Sequence, residues 1–200
     1  LSEESGAMAF EEPDVIPLIP EFLKEEEELS ASSLVRAYHK LLELLDFTQE
    51  YDQENLQRAV NRLRDEKKLS GEMAACIQIK DILGFLNCSS GKRMHRAAMD
   101  SLLYKEQPFV LGVDAREVYP GETTGGEVIL IQGIIDVYFE EDGELVVLDY
   151  KTDQAENAEE LREKYHSQLE YYAAAIEQLL KKHVKEKMIY SFTLKQEIKV

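Results

Sequence analysis

Asp136, Asp149 and Lys151 are the residues in this chain with the clearest chemical potential. Asp149 and Lys151 are two positions apart, at the end of the continuous apolar run Leu145–Leu148. Such a run suits a strand buried on both faces, and side chains two apart in a strand share a face. A carboxylate placed at the end of an apolar strand costs desolvation energy unless it is paired or bound to a cation. Upstream, Asp136 follows Ile134-Ile135, and twelve residues lie between it and Asp149. Glu141-Asp142-Gly143 within that gap is a turn signal, so a hairpin would set the two aspartates on adjacent strands and let them reach one point. Hard oxygen ligands with open positions suit Mg²⁺, with Mn²⁺ able to substitute. The chemistry implied is hydrolysis of a phosphodiester: the ion polarises the phosphate and lowers the pKa of a bound water. Lys151 would place or help deprotonate that water, or offset charge on the phosphorane. An isolated Asp-x-Lys is common by chance and could be a surface ion pair. The hairpin and the apolar strand weigh against that plainer reading.

Other residues could support this centre. Gln168 and Tyr172 are four apart on a helical pattern, on the same stripe as Tyr165, Leu169 and Ile176. A glutamine facing a core needs a partner, so Gln168 could bond a nucleic-acid phosphate or brace the catalytic strand. His39 sits in an amphipathic helix, where a neutral imidazole could complete a metal shell. His95, in Gly91-Lys92-Arg93-Met94-His95, is its rival. Glu106 reads more simply as the polar entry to the first strand.

The elements that must hold these residues form two groups. Residues 33–105 carry helical periodicity: a helix from Ser32 or Ser33 to about Asp46, a charged one over 53–68, one opening at Gly71 and running to about Leu86, and one over 91–105. From Pro108 the pattern turns to strands, with Phe109–Val113, Glu117–Tyr119, Glu127–Phe139, Leu145–Leu148 and a closing strand Ile189–Leu194. A helix over 157–182, with Asn157 and Glu160 as a capping box, crosses between them. The expectation is an α/β fold: a mixed central sheet of about five strands, flanked by helices, with an N-terminal helical part (33–105) and an α/β core (106–200). Residues 1–32 contain three of the five prolines and read as an acidic linker with one short helix over Glu21–Leu29. The chain opens on Leu1 as if entered midway, as expected of a segment cut from a longer protein.

Composition narrows the function. The chain has 200 residues, 44% of them hydrophobic, enough for one compact domain. No apolar stretch is long enough to span a bilayer and no signal peptide is evident, so a bacterial cytoplasmic location with no membrane partner is expected. Two cysteines, Cys76 and Cys88, are too few for a disulfide framework or an iron–sulfur cluster held by this chain alone. The net charge of −17 argues against a free-standing nucleic-acid binder. Acid is concentrated in residues 1–29, with ten acidic and one basic side chain, and in residues 140–163, with ten and two. Residues 181–200 instead hold six lysines against two glutamates. DNA would have to arrive along a local basic strip or be delivered by a partner.

The segments Tyr38-His39-Lys40-Leu41-Leu42-Glu43-Leu44-Leu45-Asp46-Phe47, Glu106-Gln107-Pro108-Phe109, Gly133-Ile134-Ile135-Asp136, Leu148-Asp149-Tyr150-Lys151-Thr152-Asp153 and Gln168-Leu169-Glu170-Tyr171-Tyr172 together resemble the RecB-type nucleases of the PD-(D/E)xK class. The likeness is strongest to the C-terminal nuclease domains of AddA-type (RexA-type) helicase–nuclease subunits, and it covers about residues 33–195. The resemblance implies a restriction-endonuclease-like core. It implies that His39, Asp136 and Asp149 with the backbone carbonyl of Tyr150 hold a metal, that Lys151 is the catalytic lysine, and that Gln168 and Tyr172 support the site and the DNA backbone. It also implies a DNA exonuclease within an ATP-dependent helicase–nuclease that processes double-strand breaks for recombinational repair, a helicase portion N-terminal in the full-length chain, and a second AddB/RexB-like subunit. His95 lies where the family places no ligand, so His39 is preferred. Three alternatives remain: a non-catalytic docking or DNA-end-binding domain of the same fold, an iron–sulfur nuclease of the CRISPR adaptation type, and a restriction or junction-resolving endonuclease.

Overall fold

The computed structural model describes residues 33–118 and 127–200. The linker 1–32, with its expected helix over Glu21–Leu29, lies outside the described residues. Five helices come first: α1 (Ser33–Leu44), α2 (Gln53–Asp65), α3 (Gly71–Cys76), α4 (Ile79–Asn87) and α5 (Ser89–Met99). Then follow β1 (Leu103–Asp114), the single turn α6 (Ala115–Val118), β2 (Val128–Glu141), β3 (Glu144–Lys151), α7 (Ala158–Leu180), β4 (Val184–Ser191) and β5 (Gln196–Lys199). Among the described residues no helix is long and apolar enough to cross a membrane.

The five strands form one sheet in chain order, β1-β2-β3-β4-β5. All neighbours are antiparallel except β3 and β4, the one pair joined by a long helix, as a parallel connection requires. Asp142 and Gly143, with φ of 56° and 82°, make the two-residue turn between β2 and β3, the left-handed pair that matches strand twist.

Each face of the sheet buries a separate core. Alternate residues of β3 divide between them: Val146, Leu148 and Tyr150 pack with the helices α1–α5, whereas Leu145 and Val147 pack with α7. This is why β3 needs an unbroken apolar run. On α7, Leu161, Tyr165, Leu169, Tyr172 and Ile176 form the buried stripe, each apolar side chain contributing roughly 1.5–3 kcal/mol. The result is a sheet between two helical layers, the α/β class.

Five local expectations need correction. The helix expected from Gly71 to Leu86 is two, because Ile77 and Gln78 are extended; the break lets Ile77 enter the same core as Ile82 and Phe85, and a β-branched residue gives up little by leaving a helix. The helix expected over 91–105 stops at Met99, where Ser101 turns left-handed at φ 59° and β1 begins at Leu103. Glu117 and Val118 are in α6 rather than a strand, and Tyr119 lies outside the described residues; the Asp114 carboxylate accepts the Arg116 backbone N–H at 2.9 Å, a side-chain bond that starts a helical turn. The closing strand is two: β4 ends at Ser191, and the mainly polar edge strand β5 returns after Lys195 at φ 54°. Asn157 caps α7 by accepting the Glu160 N–H, but the Glu160 carboxylate accepts from Glu156 rather than from Asn157, so the reciprocal half of the box is displaced by one residue.

Candidate active site

The site begins where the sheet loses its regularity. The β2–β3 ladder pairs Val137 with Leu148 and goes no further toward Asp136. Beyond it the Tyr150 N–H donates to the Asp136 carboxylate at 2.9 Å. Ile135 and Val137, two apart, pack on opposite faces, so the alternation slips at Asp136. On the neighbouring strand, the pairing of β1 with β2 skips Glu106, which has φ of 50°. The register is the same on both sides of Glu106, so no residue is inserted; a left-handed non-glycine residue inside a strand is instead a point of backbone strain.

This irregularity turns Glu106 and Asp136 toward α1. His39 Nδ1 lies 3.5 Å from Asp136 Oδ1, and its Nε2 is 3.2 Å from the Tyr150 carbonyl oxygen. One ligand atom each from His39, Glu106 and Asp136 lie within 4.8 Å of one another. Lys105 fixes α1 here: its ammonium donates to the Leu45 carbonyl at 2.7 Å and lies 5.2 Å from the Phe47 ring centroid.

Charges in the cluster are strongly coupled. Burial opposes the charged form of His39, but the Asp136 carboxylate beside it raises the imidazole to about 9. Burial would raise Asp136; the His39 charge, the Lys151 ammonium and the Tyr150 N–H outweigh it and hold the carboxyl below its usual value. Burial, with the charge of Asp136, pushes Glu106 up to about 7. Two carboxylates and an imidazole beside a backbone carbonyl make a donor set that fits a divalent cation.

Asp149 and Lys151 leave β3 on the face toward α7, close enough to the cluster that the Asp149 charge acts on His39 and the Lys151 charge on Asp136. Their side chains form an ion pair at 2.8 Å, with Asp149 1% and Lys151 5% exposed. The Lys151 ammonium is 4.0 Å from the centroid of the Tyr165 ring. Gln168, fully buried, donates to the Tyr172 hydroxyl at 2.6 Å, and the Tyr172 ring meets Phe109 edge-on. The structure thus gathers His39, Asp136 and the Tyr150 carbonyl, pairs Asp149 with Lys151, and pairs Gln168 with Tyr172. His95 faces the Phe47 carbonyl at 2.8 Å and belongs to helix packing. Glu106 is the residue that sequence reasoning set aside and the geometry brings in. Its signal was slight: an acid just ahead of Gln107-Pro108, at a strand boundary that periodicity placed too late.

A family model described as the PD-(D/E)XK nuclease superfamily matches residues 18–199. The chain belongs to this superfamily. Among curated relatives, an ATP-dependent helicase/nuclease subunit of Lachnoclostridium phytofermentans, of the A type, is 37% identical over 92% of this chain and 16% of its own length. The proteins of the same name from Clostridium botulinum strain Loch Maree and from Clostridium kluyveri are 34% and 33% identical over 90% and 96% of this chain, and 14% and 16% of theirs. The chain therefore spans about a sixth of the length of the relatives it matches. Among solved structures, a chain described as "Crystal structure of SSO0001" has a TM-score of 0.35 and 14% identity over 86% of this chain and 76% of that one, too slight a likeness to carry an argument. PD-(D/E)XK nucleases use divalent metals, and among the described residues His39, Glu106 and Asp136 form a cluster that could hold one.

Proposed function

We propose that this chain is a Mg²⁺-dependent deoxyribonuclease domain, with Mn²⁺ able to substitute, acting as an exonuclease within a helicase–nuclease that processes double-strand DNA breaks. The observation that carries this reading is the convergence of His39, Glu106 and Asp136 donor atoms within 4.8 Å, beside a buried Asp149–Lys151 pair. His39, Asp136, Asp149 and the Tyr150 carbonyl, joined by Glu106, would hold the ion. Bound there, the ion would polarise the scissile phosphate and lower the pKa of an attacking water. Lys151 holds its ammonium between a carboxylate and a ring face, where it can offset charge on the phosphorane. Gln168 and Tyr172, bonded to each other, brace α7 against β1 through Phe109 and would support the DNA backbone.

The relatives' names and the charge support one partner, a helicase portion. A net charge of −17 gives weak unaided affinity for a polyanion, so a helicase portion of a longer chain would deliver the DNA strand; an AddB/RexB-like second subunit and a bacterial cytoplasmic setting are carried over from the family resemblance alone. The test is cleavage of linear duplex and single-stranded DNA by the 200-residue chain with Mg²⁺, Mn²⁺ or EDTA, beside Asp136→Asn. Metal-dependent cutting that the variant loses is the expected result. Tight Mn²⁺ binding without cutting, in both the isolated chain and its helicase-linked form, would replace the enzyme by a docking domain.

A further inference from the structure

Lys151 is held on three sides, and only one of them is part of the Asp-x-Lys pattern. Its carboxylate neighbour is Asp149 at 2.8 Å. The end of its strand is tied to β4, because its carbonyl accepts the Phe192 N–H at 2.8 Å and the next carbonyl, of Thr152, accepts the Thr193 hydroxyl at 2.9 Å. The third side is the Tyr165 ring, 4.0 Å from ammonium to centroid. This ring is itself fixed. Tyr165 is 2% exposed within the α7 core, and its hydroxyl donates to Asp153, which also takes Lys164 at 3.2 Å. Burial, with the hydroxyl's bond to Asp153, drives the Tyr165 phenol far above its ordinary range, partly offset by the Lys151 charge, so it stays protonated as a donor.

We propose that Tyr165 is a positioning residue for the nuclease reaction: its ring face, held in the buried core of α7, seats the Lys151 ammonium in register with the scissile phosphate. A ring face carries negative electrostatic potential and attracts a cation within about 6 Å, most strongly when both are desolvated, as here. A leucine would fill much of the same space with no such attraction for the ammonium. Tyr165 lies one turn before Gln168, so the helical stripe that carries Gln168 and Tyr172 also delivers the seat. This inference rests on reading Lys151 as the catalytic lysine.

Two measurements test it. The first is independent of catalysis: in the chain labelled with ¹³C-lysine, the Lys151 Cε–Hε signal, assigned through Lys151→Arg, should be shifted upfield by the ring, keep that shift in Tyr165→Phe and lose it in Tyr165→Leu. The second is kinetic. Tyr165→Leu should lower kcat by about 30-fold with KM and Mn²⁺ affinity held, and Tyr165→Phe should restore most of the rate. An unshifted wild-type signal would overturn the seat, even if the chain cuts no DNA. So would Tyr165→Leu at the wild-type rate, or Tyr165→Phe as slow as Tyr165→Leu. Should Tyr165→Leu fail to fold, the wild-type shift and the Tyr165→Phe rate decide the matter.

Discussion

The two sides of the central sheet contribute different chemistry to the site. The side facing α1 offers donors: His39, Glu106 and Asp136 come from three elements, reach one point only because β1 and β2 depart from regular pairing, and share protons at neutral pH. The side facing α7 offers a fixed cation: Lys151 is enclosed by Asp149 and Tyr165, on a regular strand against a regular helix. Asp136 and Tyr150 join the two, since one carboxylate both faces His39 and accepts the N–H of the residue before Lys151.

The largest effects should separate the two sides by what they abolish. Lys151→Met should lower cleavage by a thousandfold or so, in line with losing a preorganised charge, while Mn²⁺ binding by calorimetry persists. Asp136→Asn should abolish both binding and cleavage. Removing either partner of this buried ion pair costs about 3–5 kcal/mol, so thermal melts of Lys151→Met and of Asp149→Asn must accompany the rates to separate chemistry from folding. Retention of Mn²⁺ affinity in Asp136→Asn, or its loss in Lys151→Met, would break the division.

A smaller effect concerns protons. With His39 raised to about 9 and Glu106 to about 7, the cluster holds protons at neutral pH that a cation must displace. Both groups ligate in their deprotonated forms, so Mn²⁺ affinity should climb as pH rises from 6 to 9. Titrations at pH 7 in buffers of different ionisation enthalpy should show more than one proton released per ion. Glu106→Gln should lower that number and flatten the climb around pH 7 while leaving the His39 contribution. An unchanged proton count in Glu106→Gln would remove Glu106 from the centre.

What could be read from the sequence follows the same division. Asp149, Lys151, Gln168 and Tyr172 sit on regular elements, where periods of 2 and 3.6 predict shared faces, and both pairs do share one. Asp136 was legible through the hairpin that precedes β3, because Asp142-Gly143 fixes the turn. Its partnership with Glu106 was not. It depends on a left-handed Glu106 and a skipped pairing, and no period encodes a local change of backbone conformation. The same cause hid the start of β1: Leu103–Gln107 alternates poorly because the strand twists its acid toward α1. The sheet order was within reach, but β5 was missed since a short polar edge strand carries almost no apolar signal.

The smallest effect expected tests whether the rigid side acts through rigidity. Asn157 caps α7 by accepting the Glu160 N–H at 3.1 Å. Asn157→Ala should cost about 1 kcal/mol of stability, read as a lower denaturant midpoint. The cap is eight residues, about two turns, before Tyr165, so fraying of the first turn should leave the Lys151 seat, Mn²⁺ affinity and kcat unaltered. Arg93 makes a useful comparison from the other layer, since it ties α5 to Glu141 and Glu186 at 2.7 Å each and contacts no donor of the cluster. If Asn157→Ala slowed cleavage while Arg93→Met, with an equal or larger stability loss, did not, then order along the whole of α7 would set the lysine, and the seat would extend well beyond the Tyr165 ring.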